Sequence, residues 1–539
     1  MFPRGCVTSW SIFSFCLSLI LLGPFIALLY QASGDSGGLW LHLFKTVFPR
    51  YVSNTLLLMF GVAILSLVFG VNSAWIITRI KFPGQSVLEW GLLLPATVPA
   101  YIIAYTYTDL LEYAGPVQTL LREAFGWESA RDYWFPEIRS MGGAILVMAS
   151  VLYPYVYLMA RTAFYLTSSS YLEAAKLNNP NKVLLMDISL ARPAIVAGLA
   201  LVLMEVISDF GTVEYFAIET ITLGIFNIWL GMNNLTAAAQ IAGMAFIFIL
   251  ILLVVENKAR NRQRFHDGGQ TSAPVALVSL PPRGVILCLA ICLIPITLGF
   301  IIPVGVLLGF VISGFSFSDA ASLISASINS ITVSLITAAI VVGISMVMVL
   351  TTYYKSFPFL HIISNISAMG YAFPGAILAV GVVSFAGFVD GLAQEWQQDI
   401  LGLKFDGFLI GSVTLLILAC VIRFQAVGHG AILSGADRLS PNIMNASFVL
   451  GYSFSRSMVM LAPSLLRKSM LAGGLLVFVD VMKELPMTLL LRPFNFETLS
   501  TYVYQFAKDE LLEESALAAL MIIIVGLGPV ILMNISQKR

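Results

Sequence analysis

Twelve stretches of this sequence stay apolar long enough to cross a lipid bilayer: 9–30, 52–78, 88–110, 141–164, 193–213, 236–255, 284–310, 327–352, 360–388, 406–427, 471–490 and 515–535. About 20 apolar residues in a helix reach across the hydrocarbon layer, where every backbone N–H must find its partner within the segment, so each stretch predicts a membrane helix. The first run, Ser9 to Tyr30, exceeds the ~7–15-residue core of a signal peptide and predicts a retained helix.

Two polar interruptions of similar size sit at corresponding places between the runs. Tyr171 to Ile195 opens with Leu172-Glu173-Ala174-Ala175, a helical turn with a single acid. Asn178-Asn179-Pro180-Asn181 then ends that helix, because Pro has no N–H and Asn accepts turn geometry. Leu439 to Met470 carries Asn445-Ala446-Ser447 and a turn at Gly451. The pair predicts two docking surfaces.

An offset of 275 residues superposes the two halves of the chain: Asn54-Thr55 falls on Asn329-Ser330, Pro99 on Pro374, and Ala197-Gly198 on Ala472-Gly473. Glu173 meets Asn445 at 272, which makes the first polar loop three residues shorter than the second. The halves are 1–256 and 284–539, joined by a linker at 257–283 that mixes a basic cluster with Gly, Ser and Pro. Six spans each give the copies the same orientation, related by an axis along the membrane normal.

Composition sharpens this picture. The chain is 58% hydrophobic and only 11% charged, against about 25% charged in soluble domains. Its 29 basic and 29 acidic residues leave no net charge for nucleic acid. Their distribution is uneven: with the N-terminus inside, 20 bases fall on inside segments, 8 outside and Lys483 within a span, so both termini are expected to be cytoplasmic. The five cysteines are expected to be small buried hydrophobes without disulfides. The outer loop Leu111 to Ser140, with Tyr113, Trp127, Tyr133, Trp134 and Phe135, predicts an interfacial aromatic belt or a landing surface for a partner.

The sharpest chemical signal lies inside the spans. Glu205 and Asp209 are one helical turn apart in the fifth, and Asp480 and Glu484, at the same offset, are one turn apart in the eleventh. Carboxylates cost several kcal/mol in hydrocarbon, so all four are expected around the central axis, facing the bundle interior or an aqueous path. Hard oxygen ligands suit a hard cation, although Lys483 could neutralise the second pair, and no metal site is assigned. Four scattered histidines offer no zinc or nucleophile spacing, and no G-x-x-x-x-G-K-[ST] loop is present, so the chain is not expected to be an enzyme or to split ATP by that route.

These features resemble the inner-membrane permeases of bacterial ATP-binding-cassette importers, in the ferric-iron branch and in fused, double-length form. The family's cytoplasmic loop begins Glu-Ala-Ala with a Gly six residues after the Glu. The first loop here has Glu173-Ala174-Ala175 with Asn179 in place of Gly, and the second has Asn445 in place of Glu but keeps Ala446 and Gly451. Val477 to Pro486 and Asp209 to Tyr215 are similar to the ferric-iron permeases in particular. The resemblance implies an all-α type I importer fold in the bacterial inner membrane. It implies two ATP-binding-cassette subunits docked at the loops, a periplasmic binding protein, surrounding lipid, no nucleic acid and no cofactor of its own, with Fe3+ as cargo and ATP on the partners. Related permeases carry thiamine or polyamines, and an ion-coupled secondary transporter would also use repeats and buried acids.

Overall fold

The computed structural model describes residues 9–167, 173, 177, 183–263, 278–314, 320–355, 358–401 and 407–537. Among these, helices dominate. The strands are two residues each, Ile80–Lys81 and Val278–Ser279, paired in parallel so that the end of the linker is tied to the first half.

Nine described helices are long and apolar enough to span a membrane, and a tenth is counted if the pair Gln85–Thr97 and Ala100–Phe125, bent by 92°, forms one span. The twelve predicted stretches all overlap helix, but five are not simple spans: 193–213 breaks between Val183–Ser208 and Gly211–Tyr215, 360–388 breaks between Pro358–Ser367 and Gly375–Leu401, and the other three are 88–110, 471–490 and 236–255. The stretch 88–110 is broken at Pro99, which cannot donate to the preceding turn. The stretch 471–490 divides between Ala462–Met482 and a short helix Pro486–Leu491. The stretch 236–255 lies on Leu235–Gln263, whose apolar portion is the shorter Leu235–Ile251.

The repeat is visible in side-chain hydrogen bonds as well as in helix order. Asn54 Nδ2 donates to the Glu219 carbonyl at 3.1 Å, and Asn329 Nδ2 to the Glu497 carbonyl at 2.9 Å. Thr55 Oγ1 accepts from the Ile221 N–H, and Ser330 Oγ from the Leu499 N–H. The hydroxyls of Thr222 and Ser500 bond the carbonyls of Ile207 and Met482. Short polar side chains paired to backbone in this way satisfy groups that hydrocarbon would leave unmatched.

The halves interlock. The first helix, Ser9–Ala32, packs on Ala320–Lys355, Pro358–Ser367 and Gly375–Leu401 of the second half, while Pro282–Ile296 packs on Phe48–Arg79 of the first. The first of these crossings is backbone-close, since a Cβ at Gly381 would lie 2.5 Å from the Pro24 carbonyl oxygen; just past Ile296 the chain also presses on Met141–Leu166, where a Cβ at Gly299 would lie 2.2 Å from the Ser150 carbonyl oxygen. The expected cysteine burial holds for Cys288, Cys292 and Cys420, all free thiols, whereas Cys16 is exposed, because the first helix turns that face outward.

One ion pair anchors the base of the first polar loop. Arg79, closing Phe48–Arg79, places Nε 2.7 Å from Asp187 Oδ2 and Nη2 3.0 Å from Oδ1, with a third bond to the Phe164 carbonyl. Asp187 is fully buried. At the equivalent positions the second half has Tyr354 and Ala462, packed in an apolar cluster with Leu350 and Leu466. Removing one member of a buried pair strands the other, which costs about 3–5 kcal/mol. Asp187→Ala alone is therefore expected to lower the unfolding temperature of the purified protein sharply. Arg79→Tyr with Asp187→Ala, which installs the second half's solution, is expected to recover most of that loss.

Candidate functional site

The four intramembrane acids converge on one cavity of about 150 Å³ at the junction of the halves. They do not play the same part. The helix Val183–Ser208 stops and resumes as the short helix Gly211–Tyr215, and Asp209 stands at the break, its carboxylate accepting from Thr212 N at 2.9 Å, Thr212 Oγ1 at 3.0 Å and Val213 N at 3.3 Å. Glu484 stands at the matching break and accepts from Met487 N at 2.9 Å. A carboxylate before a helix satisfies its open N–H groups and matches its positive end. Gly211 permits the crossing there, since a Cβ would come within 2.8 Å of Leu485.

Glu205 and Asp480 lie one turn earlier, half-buried on the cavity wall. Glu205 Oε1 accepts from the Tyr371 hydroxyl at 2.8 Å. Asp480 Oδ1 is 3.6 Å from Lys483 Nζ. Arg423 reaches in from Val413–Asp437 and puts Nη1 2.9 Å from Glu484 Oε1, with both side chains nearly closed off from solvent.

Arg423 was counted among the inside-facing bases, and the structure moves it into the cavity. The signal for this was present: Glu484, buried beyond the reach of water, needs a partner, and Arg423 is a base within a predicted apolar run. Among the described residues no three His, Cys, Asp or Glu side chains gather closely enough to hold a metal ion. The acids line a cavity and do not by themselves form a chelate.

The segment Leu111 to Ser140 precedes the helix Met141–Leu166 and the first polar loop follows it, a helix length away. Glu173 is helical and exposed; Ala174, Ala175 and Asn179 lie outside the described residues. In the second loop Ser440 caps the helix Pro441–Val449, which carries Asn445 and an exposed Ala446. Gly451 follows with φ of 87°, the left-handed region that Gly enters without strain. Sequence reasoning missed the apolar tips. Leu177 is 89% exposed, and Val449, its equivalent at the offset of the loops, is 88% exposed. Large exposed apolar side chains at matching places mark contact surfaces.

No family model matches the chain. It is 25% identical over 535 residues to the Fe(3+)-transport system permease protein FbpB 2 of Haemophilus influenzae, covering 96% of this chain and 97% of that protein. It is 29% identical over 260 residues to the sulfate transport system permease protein CysT of Salmonella typhimurium, covering 45% of this chain and 88% of that one. The molybdenum transport system permease protein ModB of Escherichia coli matches at 25% over 154 residues, 28% of this chain and 64% of that protein. Over its whole length the chain is thus similar to a double-length permease of an importer, and over part of its length to single-length ones.

The end of the bundle that holds Glu112 and Arg139 is tied by charge. Arg139 Nε is 2.6 Å from Glu112, its Nη2 is 3.3 Å from Glu510, and its guanidinium lies 4.8 Å over the Tyr215 ring. Lys508 Nζ is 3.2 Å from Glu214. Two of these ties, Arg139–Glu510 and Lys508–Glu214, join the first half to the second. Glu513 and Glu514 start the last helix. Within the segment Leu111 to Ser140, Phe125, Trp127 and Tyr133 stack on one another at 4.8 and 4.7 Å, and Trp134 stands 85% exposed. Nearby, the N–H groups of Ser129 and Glu128 donate to Asp132 and hold its carboxyl below the usual range.

Exposed ion pairs are each worth about 0.2–1 kcal/mol, so the two ties hold the halves together at this end without locking them. Arg139→Gln with Lys508→Gln is expected to leave folding intact. It should raise the rate at which a membrane-impermeant thiol reagent labels Ser208→Cys in the cavity by up to about tenfold, as 1.4 kcal/mol is a factor of ten.

Proposed function

We propose that the permease carries ferric iron from a periplasmic binding protein to the cytoplasm, driven by ATP hydrolysis on two cassette subunits docked at the polar loops. Both termini then lie in the cytoplasm. The observation that supports this most is the charge of the cavity: four carboxylates against Arg423 and Lys483, each base already held by an acid. A surplus of negative charge at a constriction favours a cation. The full-length likeness to an Fe(3+)-transport permease agrees.

A sulfate or molybdate reading draws on the other relatives and on the same two bases. It is the weaker, because an oxyanion would have to displace Glu484 from Arg423 and would then face the remaining acids. The exposed face around Trp134 offers the binding protein an amphipathic anchor.

In the coupling role the two loops are expected to differ. Glu173 can offer a carboxylate to a cassette subunit, while Asn445 can only form a neutral hydrogen bond, and charge-assisted bonds are roughly twice as strong. Glu173→Ala should thus loosen the coupling of ATP hydrolysis to uptake more than Asn445→Ala does; equal losses in reconstituted vesicles would count against the asymmetry.

The same vesicles, with purified partners, decide the substrate by comparing ferric ion, sulfate, molybdate, thiamine and spermidine. Saturable uptake of ferric ion and not the others is expected. Glu205→Gln with Asp480→Asn should reduce it by roughly tenfold, on the scale of losses at metal-binding shells, with membrane insertion unchanged. Iron uptake at the wild-type rate in that variant would remove the acids from the path.

A further inference from the structure

We infer that Tyr155 and Tyr371 join Glu205 and Asp480 to form a transient ferric-ion subsite at the centre of the cavity, an inference that rests on the iron reading above. Each half contributes one phenol and one carboxylate. Tyr155 and Glu205 come from Met141–Leu166 and Val183–Ser208, and Tyr371 and Asp480 from Gly370–Ala372 and Ala462–Met482. All four line the cavity. The Tyr371 hydroxyl donates to Glu205 at 2.8 Å. Tyr155 lies close enough to interact with Glu205, Asp480 and Tyr371, and Tyr371 with Glu205, Asp480 and Tyr155.

The setting of these phenols differs from that of their neighbours. Tyr107, Tyr153 and Tyr157 satisfy their hydroxyls on backbone carbonyls, those of Leu298, Leu92 and Glu89. That is the bond a tyrosine makes when packing is all it has to do. Tyr155 and Tyr371 face acids. Nor does the repeat require them, since Tyr371 falls on Ala96 at the offset of 275, and Tyr155 falls on Val427 at the offset of 272 that superposes the helix caps Ser140 and Ser412. Carboxylates alone do not gather into a chelate, but anionic oxygen from two phenols supplies the missing hard donors.

When the ion enters, the O–H bonds of Tyr155 and Tyr371 break, two Fe–O bonds form, and the two protons leave to water in the cavity. Iron stays ferric throughout. Lys483 beside Asp480 opposes the cation's charge, which suits a site that must release what it holds.

The test uses the full-length permease in nanodiscs titrated with ferric nitrilotriacetate. Iron bound to phenolate gives a visible charge-transfer band, expected in the wild type. Tyr155→Phe with Tyr371→Phe is expected to abolish the band and weaken iron binding about 10–100-fold, while the variant remains monodisperse. Glu205→Gln with Asp480→Asn keeps both tyrosines, so its band is expected at higher iron concentration. A wild type without the band, or a band that survives loss of both phenols, overturns the subsite. If the complete transporter imports ferric ion yet shows no band, the subsite falls and the iron reading stands. If it imports sulfate or molybdate and not iron, both fall.

Discussion

The cost of placing charge in a medium of low dielectric governs this protein more than any other single constraint. An isolated ion moved from water to hydrocarbon loses far more solvation than one contact returns. Five acids within the bundle accordingly have a named compensation. Asp187 has the guanidinium of Arg79, Glu484 has Arg423 and an N–H, Asp209 has the start of a helix, Asp480 has Lys483, and Glu205 has a phenol. These compensations are graded. Asp187 is held by two short bonds and carries structure. Glu205 is held by one neutral donor, so its charge stays available to whatever occupies the cavity.

That gradient explains why two of the acids sit at helix breaks. A continuous helix would leave no open N–H groups inside the membrane and no route for a polar cargo. Interrupting the helices after Ser208 and Met482 exposes donors inside the bundle, and a nearby carboxylate satisfies them. The breaks open a polar space between the halves, and the capping acids make the opening tolerable. Asp209 and Glu484 are in this sense the scaffold of the cavity, and Glu205 and Asp480 its half-buried wall.

Much of this was legible in the sequence. Hydropathy located the helices, and the offset of 275 placed Glu205 on Asp480 and Asp209 on Glu484, from which their convergence followed. The parts that were not legible have physical causes. Nothing in periodicity distinguishes a span from a helix that kinks at Pro99 and turns by 92°, because both are equally apolar. Arg423 looked like an inside anchor because a base near the end of an apolar run has two outcomes, water or a buried acid, and only tertiary contact chooses. The exposed Leu177 and Val449 were invisible to hydropathy, which cannot tell a side chain facing lipid or core from one facing a partner.

The asymmetry between the halves follows from the same constraint. Where the first half uses Arg79 and Asp187, the second packs Tyr354 against Ala462, and where the second brings Arg423 to the cavity, the first has only apolar Val151 on the matching helix. A homodimer could not do this, since any base added to neutralise one acid would appear twice and cancel the negative surplus of the cavity. Joining both copies in one chain lets one half anchor its polar loop with a buried ion pair while the other supplies the charge that balances the cavity. Fusion therefore has a chemical consequence beyond fixing the ratio of the halves: it allows a cavity with an unequal distribution of charge, held on a framework that remains a repeat.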